Sequence, residues 1–565
     1  MKRMWTNALG MAACAAIVGA SWPAPAEVLK GTVKDADGKG LRGVMITALD
    51  SDAEKSVTIF TQPDGSYELA GLPTGEYEIR ARLIGMNDAY EEVEVASGKS
   101  VDFTLDAADE EELEFQRPAH NLFSLLKWDD EADRLNFKMM CMYCHQVGTL
   151  GFRTPEEPVD WETMVRRMQG FGGLYEHTQE TLVQRLLETY SEEAQAEWPD
   201  FVPPDAPAGK SLMARITEWD AGREDDAMIH DLELGADDKI IYTVDMVNDA
   251  VVEVNTETGE RTVVPVPGGK DPSISGNPRK GPHSIERDAD GNMWITLALS
   301  GEMAHYNVKT KEFTIVSSNE APRPRGAYPH TLRIDQKGVV WYTDAGMNAV
   351  FSLDPNDGNK VKQYQLLKAD QAVGGGRGES GGITPYGVSI APDGMVWYTK
   401  LNGNRLGRID PNAEDGDIKE WEPPFVGPRR HEVAPDGKVW VPGFANGVFA
   451  SFDPETETWS KLYQMPEGMD EIPYALSVHP ETGDVWICGT GSDTLVRFIP
   501  ETEEMITYQM PSRVTYTREI EFAKDGSVWT CNSNYPVRHV EDGRGSVIKI
   551  EVADMDVAAS EADTD

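Results

Sequence analysis

Basic residues are scarce in this 565-residue chain: 52 Lys and Arg stand against 96 Asp and Glu, a formal charge of −44. An excess of that sign repels phosphate backbones and anionic lipid surfaces, which excludes nucleic acid and membrane surfaces as default partners. Cysteine is scarcer still, at five, too few in so long a chain for a disulfide framework. Long apolar runs are missing except from Ala8 to Ala20, so a multispan membrane protein is excluded and the mature chain is expected to carry no transmembrane anchor. Apolar residues make up 40 % and the mean hydropathy is −0.44, ordinary values for globular domains. Length suggests three or four of them at about 150 residues each. Glycine (52) and proline (35) are plentiful, which points to a turn-rich, mainly β, multidomain chain.

The apolar run follows Lys2 and Arg3 and precedes Ala24-Pro25-Ala26. A charged start, a short hydrophobic stretch and an A-x-A site are the parts of a cleavable export signal. Residues 1–26 are therefore predicted to be removed and the protein to reside in the periplasm. The leader takes away two basic residues and no acid, which leaves −46. Lipidation at Cys14 is the alternative, and Met11-Ala12-Ala13-Cys14 lacks the leucine usual for it. Cys141, Cys144, Cys488 and Cys531 remain.

Residues 27–105 make a first unit. Gly31-Thr32-Val33 and Gly43-Val44-Met45-Ile46 are short strand-type runs around the turn cluster Asp35-Ala36-Asp37-Gly38. Asp64-Gly65-Ser66-Tyr67 and Leu72-Pro73-Thr74-Gly75-Glu76-Tyr77 follow. These residues resemble the carboxypeptidase regulatory-like family, and the resemblance implies a small seven-stranded β-sandwich without catalytic residues, a spacer or adhesion surface. Residues 106–116 read as an acidic, solvated linker.

Residues 117–199 form a second unit centred on Cys141-Met142-Tyr143-Cys144-His145. C-x-x-C-H is the attachment signal for c-type haem. The two thiols add to the haem vinyl groups, and the adjacent His is placed to become the proximal iron ligand. A zinc knuckle and a redox dithiol are the alternatives. Neither requires that His, and no second C-x-x-C follows. Trp161 to Met168 reads as a helix ended by Gly170, Gly172 and Gly173. This stretch resembles short, α-helical cytochrome c domains with a W-x-x-x-V-x-R-M pattern. The resemblance implies Met168 as the distal iron ligand, with Met164 and His177 as alternatives. A Met ligand raises the haem potential, which suits electron transfer.

Residues 211–552 repeat internally. Asp290-Gly291-Asn292-Met293-Trp294, Asp393-Gly394-Met395-Val396-Trp397, Asp436-Gly437-Lys438-Val439-Trp440 and Asp525-Gly526-Ser527-Val528-Trp529 share one grammar, with variants at Gly338, Gly483 and Asp237. Seven units of this kind predict a seven-bladed β-propeller. Ala214 to Trp219 is expected to supply the outer strand missing from the last blade, which stops at Val552. The acidic tail 553–565 is expected to be disordered. The repeats resemble the streptogramin (virginiamycin B) lyase family of propellers. That resemblance implies the fold, and for activity a hub histidine acting as base with a divalent cation.

Aligning the repeats gives one residue per blade at the start of the innermost strand: His230, His283, His330, Tyr386, His431, Tyr474 and Arg518. The intervals are 53, 47, 56, 45, 43 and 44 residues, so these positions are expected to converge on one mouth of the central channel. His230, His283, His330 and His431 could hold Zn, Cu, Fe or Mn there; the alternative is imidazoles bonded to nearby carbonyls. His283, His330 and His431 with Glu432, and Arg518 with Glu519, are candidate base and oxyanion partners. Tyr386 and Tyr474 are candidate substrate contacts. Arg325, Arg377 and Arg430, with Arg279, Lys280, Arg323, Arg429 and Arg513, are expected to form a cationic rim for an anionic small substrate; pairing with the surplus acids is the alternative. Gly374 to Gly378 is a candidate flap. Cys488 and Cys531 lie two residues after the blade Trp and are expected as buried thiols. Three functions fit: an oxidoreductase passing electrons through the haem to a periplasmic acceptor, a metal-assisted propeller lyase, and a binding scaffold.

Overall fold

Each D-G pair lies at a hairpin tip because its glycine takes a φ that side chains resist. Gly291, Gly338, Gly394, Gly437 and Gly526 all have φ between 79° and 85°. At Gly291 the turn closes with Asp288 N donating to Asn292 O at 2.8 Å and Gly291 N to Asp288 O at 3.0 Å. The Trp that follows the turn buries between neighbouring blades, as Trp341, Trp397 and Trp486 do. The computed structural model describes residues 27–553 apart from 51–53, 97, 129, 148–157, 171–178, 223–226, 270–279, 319–325, 369–383, 534 and 536–540. The predicted leader with Cys14, the candidate flap and the tail from 554 onward lie outside the described residues.

Six consecutive antiparallel sheets run in chain order, beginning with strands Ile229–Leu234, Pro282–Arg287, Pro329–Ile334, Pro385–Ile390, Glu432–Val433 and Pro473–Val478. The seventh is built from Glu521–Phe522, Val528–Asn532 and Gly545–Val552, and Ala214–Gly222 completes it. Its closing ladder pairs Ile548 with Glu218 and Ile550 with Ile216. The propeller thus closes as its repeats imply.

Seven strands between residues 27 and 105 form the β-sandwich around Leu29, Val33, Ile46, Leu69, Ile79 and Val95. One of its sheets does not end at the domain boundary. Strand Lys55–Phe60 pairs with Ala214–Gly222, Val57 facing Thr217, so sandwich and last blade share one eight-stranded sheet. Pairing satisfies the backbone groups that an outermost blade strand would otherwise leave open. Buried Arg82 adds a second tie, reaching Glu541 at 2.6 Å and Pro511 O at 2.9 Å.

Among the described residues six α-helices lie between these two β-units: α1 (Glu110–Gln116), α2 (Ala119–Phe123), α3 (Glu131–Cys141), α4 (Pro158–Gly170), α5 (Gln179–Tyr190) and α6 (Glu192–Gln195). The expected linker 106–116 is therefore partly helical, because Asp109 caps α1 by accepting from Glu112 N at 2.9 Å. Asp130 caps α3 in the same way through Asp133 N at 2.9 Å. Trp161, Leu182, Leu186 and Tyr190 of α4 and α5 pack on Phe137 of α3 in a core continuous with that of the propeller.

Ile216 and Ile548 are fully buried in the closing ladder. Ile548→Ala is expected to destabilise the chain by about 2–5 kcal/mol, read as a lower midpoint in denaturant unfolding.

Candidate functional site

The innermost strands show what lies at the channel mouth. In blades two, three, four and six a proline opens the strand pairing: Pro282 faces Leu297, Pro329 faces Asp344, Pro385 faces Lys400 and Pro473 faces Gly489. A bulge follows at once and re-aims the next residue. Ile229 does the same in the first blade, Pro428 in the fifth and Thr517 in the seventh. The ring is therefore His230, His283, His330, Tyr386, Arg429, Tyr474 and Arg518.

The fifth member corrects the sequence alignment, which put His431 there. Thr399 confirms the shift. Thr296 donates to His330 O at 2.9 Å, Thr343 to Tyr386 O at 2.6 Å, and Thr399 to Arg429 O at 2.7 Å, each strapping its blade to the next ring residue. Cys531 takes the threonine's part at the ring closure, its Sγ lying 3.2 Å from His230 O. Cys488 and Cys531 are both free and buried, as expected. His431 occupies a core slot, in register with Leu476 and Ile285 of other blades, and burial pushes its pKa down to about 3.

Six of the seven aligned positions do converge. Ring centroids run from His230 to His283 at 3.8 Å, to His330 at 4.2 Å and to Tyr386 at 4.0 Å. Tyr386 Oη lies 2.7 Å from Tyr474 Oη and accepts from Arg429 Nη2 at 2.7 Å. The Arg429 guanidinium sits 3.5 Å over the Tyr474 ring. Burial, together with Arg518 and Arg430, holds His230 well below the usual imidazole range; burial and His283 do the same to His330. Both are neutral. His230, Asp231 and His283 bring ligand atoms within 4.8 Å of one another, the one such group among the described residues.

Deeper in the channel Arg430 bridges Asp231, at 2.9 Å, and Glu519. Arg430 is thus a buried structural cation rather than a rim residue. Further down come Glu233, Glu286, Arg333, Glu432 and Glu521. Burial and mutual repulsion raise Glu286 to about 8; burial raises Glu233 and Glu432 to about 7, against the pull of nearby arginines. The sequence reading missed this acid-lined end, although a glutamate three residues after the ring residue was visible in four blades. Glu432 belongs to it and does not reach the mouth with Arg518.

Of the expected cationic rim, Arg429 alone among the described residues stands at the mouth without an acidic partner. Lys280 pairs with Glu302 at 2.6 Å, and Arg513 lies 3.7 Å from Asp88 and 3.8 Å from Glu112. Arg279, Arg323, Arg325 and Arg377 lie outside the described residues.

What covers the mouth is the Cys141–Gln146 loop at the end of α3. Arg429 Nη2 donates to Tyr143 O at 3.0 Å, Arg518 Nη2 to Cys144 O at 2.6 Å, and Tyr516 Oη to Met142 O. Gln146 Nε2 reaches Thr490 O, Thr515 O and Asp493 within 2.6 to 2.9 Å. The Tyr143 ring meets Tyr386 edge-on at 6.0 Å. Fully buried Lys138 donates to Met469 O at 2.8 Å and Glu471 O at 2.6 Å, and Arg134 pairs with Asp470.

Above the loop, Cys141 opens on an apolar cavity of about 30 Å³ between α3, α4 and α5, lined also by Phe137, Trp161, Met164, Val165 and Leu182. Burial pushes the Cys141 thiol up, and Cys141 and Cys144 are both free. His145 is buried with Nδ1 2.8 Å from Gln146 O. A carbonyl only accepts, so Nδ1 carries the proton and Nε2 is the basic nitrogen. Met164 lines the cavity, whereas Met168, one turn on and half-buried, is not among the lining residues. His177 lies outside the described residues.

Residues 28–107 match the carboxypeptidase regulatory-like domain family. No curated protein matches the chain. Two solved structures with which it aligns are a virginiamycin B lyase from Staphylococcus aureus (16 % identity, TM-score 0.48, 60 % of this chain and 99 % of that one) and a streptogramin B lyase (17 %, 0.49, 61 % and 100 %). The propeller assignment stands on the seven sheets themselves.

Two outcomes check the electrostatics. Arg430→Met leaves Asp231 buried without its cation and Glu519 with Arg333 alone, and is expected to cost about 3–5 kcal/mol in denaturant unfolding. Burial pushes Lys138 down to about 7 from 10.5. Its burial penalty is therefore complete below about pH 7 and is relieved as pH rises toward 10.5. Wild type should gain stability relative to Lys138→Met across that window, measured as unfolding midpoints at both ends.

Proposed function

We propose that this chain is an exported c-type haem protein with oxidoreductase activity. In this reading the helical unit holds the haem, the propeller hub beneath it takes a small substrate, and electrons leave to a periplasmic acceptor. The observation that carries it is the seating of the C-x-x-C-H loop on the hub ring through Arg429, Arg518 and Tyr516. A redox group on that loop would stand directly over the three imidazoles and two tyrosines.

The donor set present fits the group, while the cavity of about 30 Å³ beside Cys141 would have to widen to take it. Cys141 and Cys144 would carry the thioether links, and His145 would offer Nε2 to the iron, its Nδ1 already fixed by a backbone carbonyl as in other metal-bound imidazoles. Phe137, Trp161, Val165 and Leu182 give the apolar walls that exclude water. Met164 or Met168 would complete the iron's shell, with Met164 favoured by its place in the cavity. Bound there, the haem supplies one-electron exchange. The protein's own part is positional. Arg429 and Arg518 hold two successive carbonyls of the loop, and Gln146 pins its end to the sixth and seventh blades.

His230, Asp231 and His283 are the residues that would hold a hub metal. Arg518 and Arg430 stand against one, since their charge already depresses His230. His230 and His330 are held neutral, the feature favouring a lyase, but their lowered basicity and the loop over the mouth both stand against it.

Expression of the full chain with its leader, in a host that matures c-type haem, is expected to yield one covalent haem per chain in the periplasmic fraction. The readouts are the reduced pyridine spectrum and the intact mass. Cys141→Ser with Cys144→Ser should abolish the attachment. A folded, exported chain without covalent haem would overturn the reading. Substrate turnover that needs no electron acceptor and survives the double substitution would favour the lyase.

A further inference from the structure

The mouth of the channel carries more positive charge than its acids answer. Arg429, Arg430 and Arg518 stand at its two upper levels with Asp231 and Glu519, and Arg430 takes both acids. Arg429 and Arg518 are 0 % and 1 % exposed, and no carboxylate lies in an ion pair with either among the described residues. Each spends Nη2 on a carbonyl of the covering loop. Those carbonyls follow the C-terminal end of α3, which supplies roughly half a negative charge at most. Aromatic faces supply the rest: Tyr143, Tyr386, Phe444 and Tyr474 surround the Arg429 guanidinium at 5.0, 4.8, 4.1 and 3.5 Å.

That shell leaves donors idle. Arg429 Nε and Nη1 and Arg518 Nη1 are buried without a hydrogen-bond partner. A buried N–H with no acceptor costs about 1–3 kcal/mol, more on a charged group, so three of them at one spot mark a place for an acceptor. A planar anion suits it best, since guanidinium forks match carboxylate oxygens in pairs.

We propose that Arg429 and Arg518 form a carboxylate-binding site under the Cys141–Gln146 loop. The site itself stands on the two guanidiniums alone; its link to electron transfer rests on the haem reading. Two sources share this chemistry, a propionate of the haem and a free carboxylate substrate, and they separate experimentally.

The probe is sodium acetate, compared with sodium chloride at equal ionic strength, on the full exported chain. The first sample carries Cys141→Ser and Cys144→Ser and so holds no attached haem. Acetate is expected to raise its thermal midpoint above the chloride control. Arg429→Met and Arg518→Met should each remove that difference. Arg429→Lys keeps the charge without the fork, and should weaken acetate binding about tenfold, the loss of one charged hydrogen bond, which keeps the test alive if the Met variants fold poorly. The second sample is the haem-loaded chain. A persistent acetate effect assigns the site to a free carboxylate. A vanished effect, with a haem midpoint potential that moves in Arg429→Lys, assigns it to a propionate. The proposal is overturned if acetate does no better than chloride in the haem-free chain, or if its effect survives every arginine substitution. Because the haem-free sample is tested directly, failure of the haem reading leaves this result intact.

Discussion

The antiparallel ladder between Ala214–Gly222 and Gly545–Val552 is the constraint on which the rest depends. A propeller is a ring, and until its last sheet is complete the inner strands have no reason to converge. Closing it brings together ring residues drawn from positions 230 to 518. The same strand presents its other edge to Lys55–Phe60, so the backbone groups that close the ring also fix the sandwich to it. Both unions are made by main-chain hydrogen bonds, which ask for a free strand edge and little else.

Along the channel the charge changes sign by layer. The mouth is cationic and aromatic, the middle is neutralised where Arg430 holds Asp231 and Glu519, and the far end is acidic around Arg333. Burial, with the guanidiniums adding to it, keeps His230 neutral, while burial raises the Glu286 and Glu233 carboxyls toward the neutral range. Neutral imidazoles and unspent guanidinium donors meet directly below the thiols of α3.

The helical unit docks through main-chain carbonyls and through a few side chains. Carbonyls of Met142, Tyr143 and Cys144 are the acceptors, and Tyr516, Arg429 and Arg518 the donors. Such a joint fixes where the loop sits, with Gln146 and Tyr143 also held by their side chains and the two thiols unbridged above it. Lys138 and Arg134 run the other way, their side chains donating to carbonyls of loop 469–471.

Much was legible in the sequence, and for identifiable reasons. The D-G turn with its following Trp announces a blade because positive φ needs glycine and an inter-blade slot needs a large ring. C-x-x-C-H is contiguous, so the motif itself is read locally. The hub ring was legible in six blades and misread in the fifth. There Arg429-Arg430-His431 offers a histidine two residues late, and residue type outweighed the proline that sets the register. The mouth's occupant was illegible, since carbonyl acceptors leave no mark in a sequence. Arg429 and Arg430, adjacent in the chain, part company because the bulge aims one at the mouth and the other at the acids below it. By itself the sequence determined the repeats, the turns, the closing strand and the reactive motif, all properties of short segments. Only the tertiary structure decided which arginines lack acids, which end of the channel is acidic and that the motif caps the hub, because each depends on residues hundreds of positions apart meeting in a low-dielectric interior.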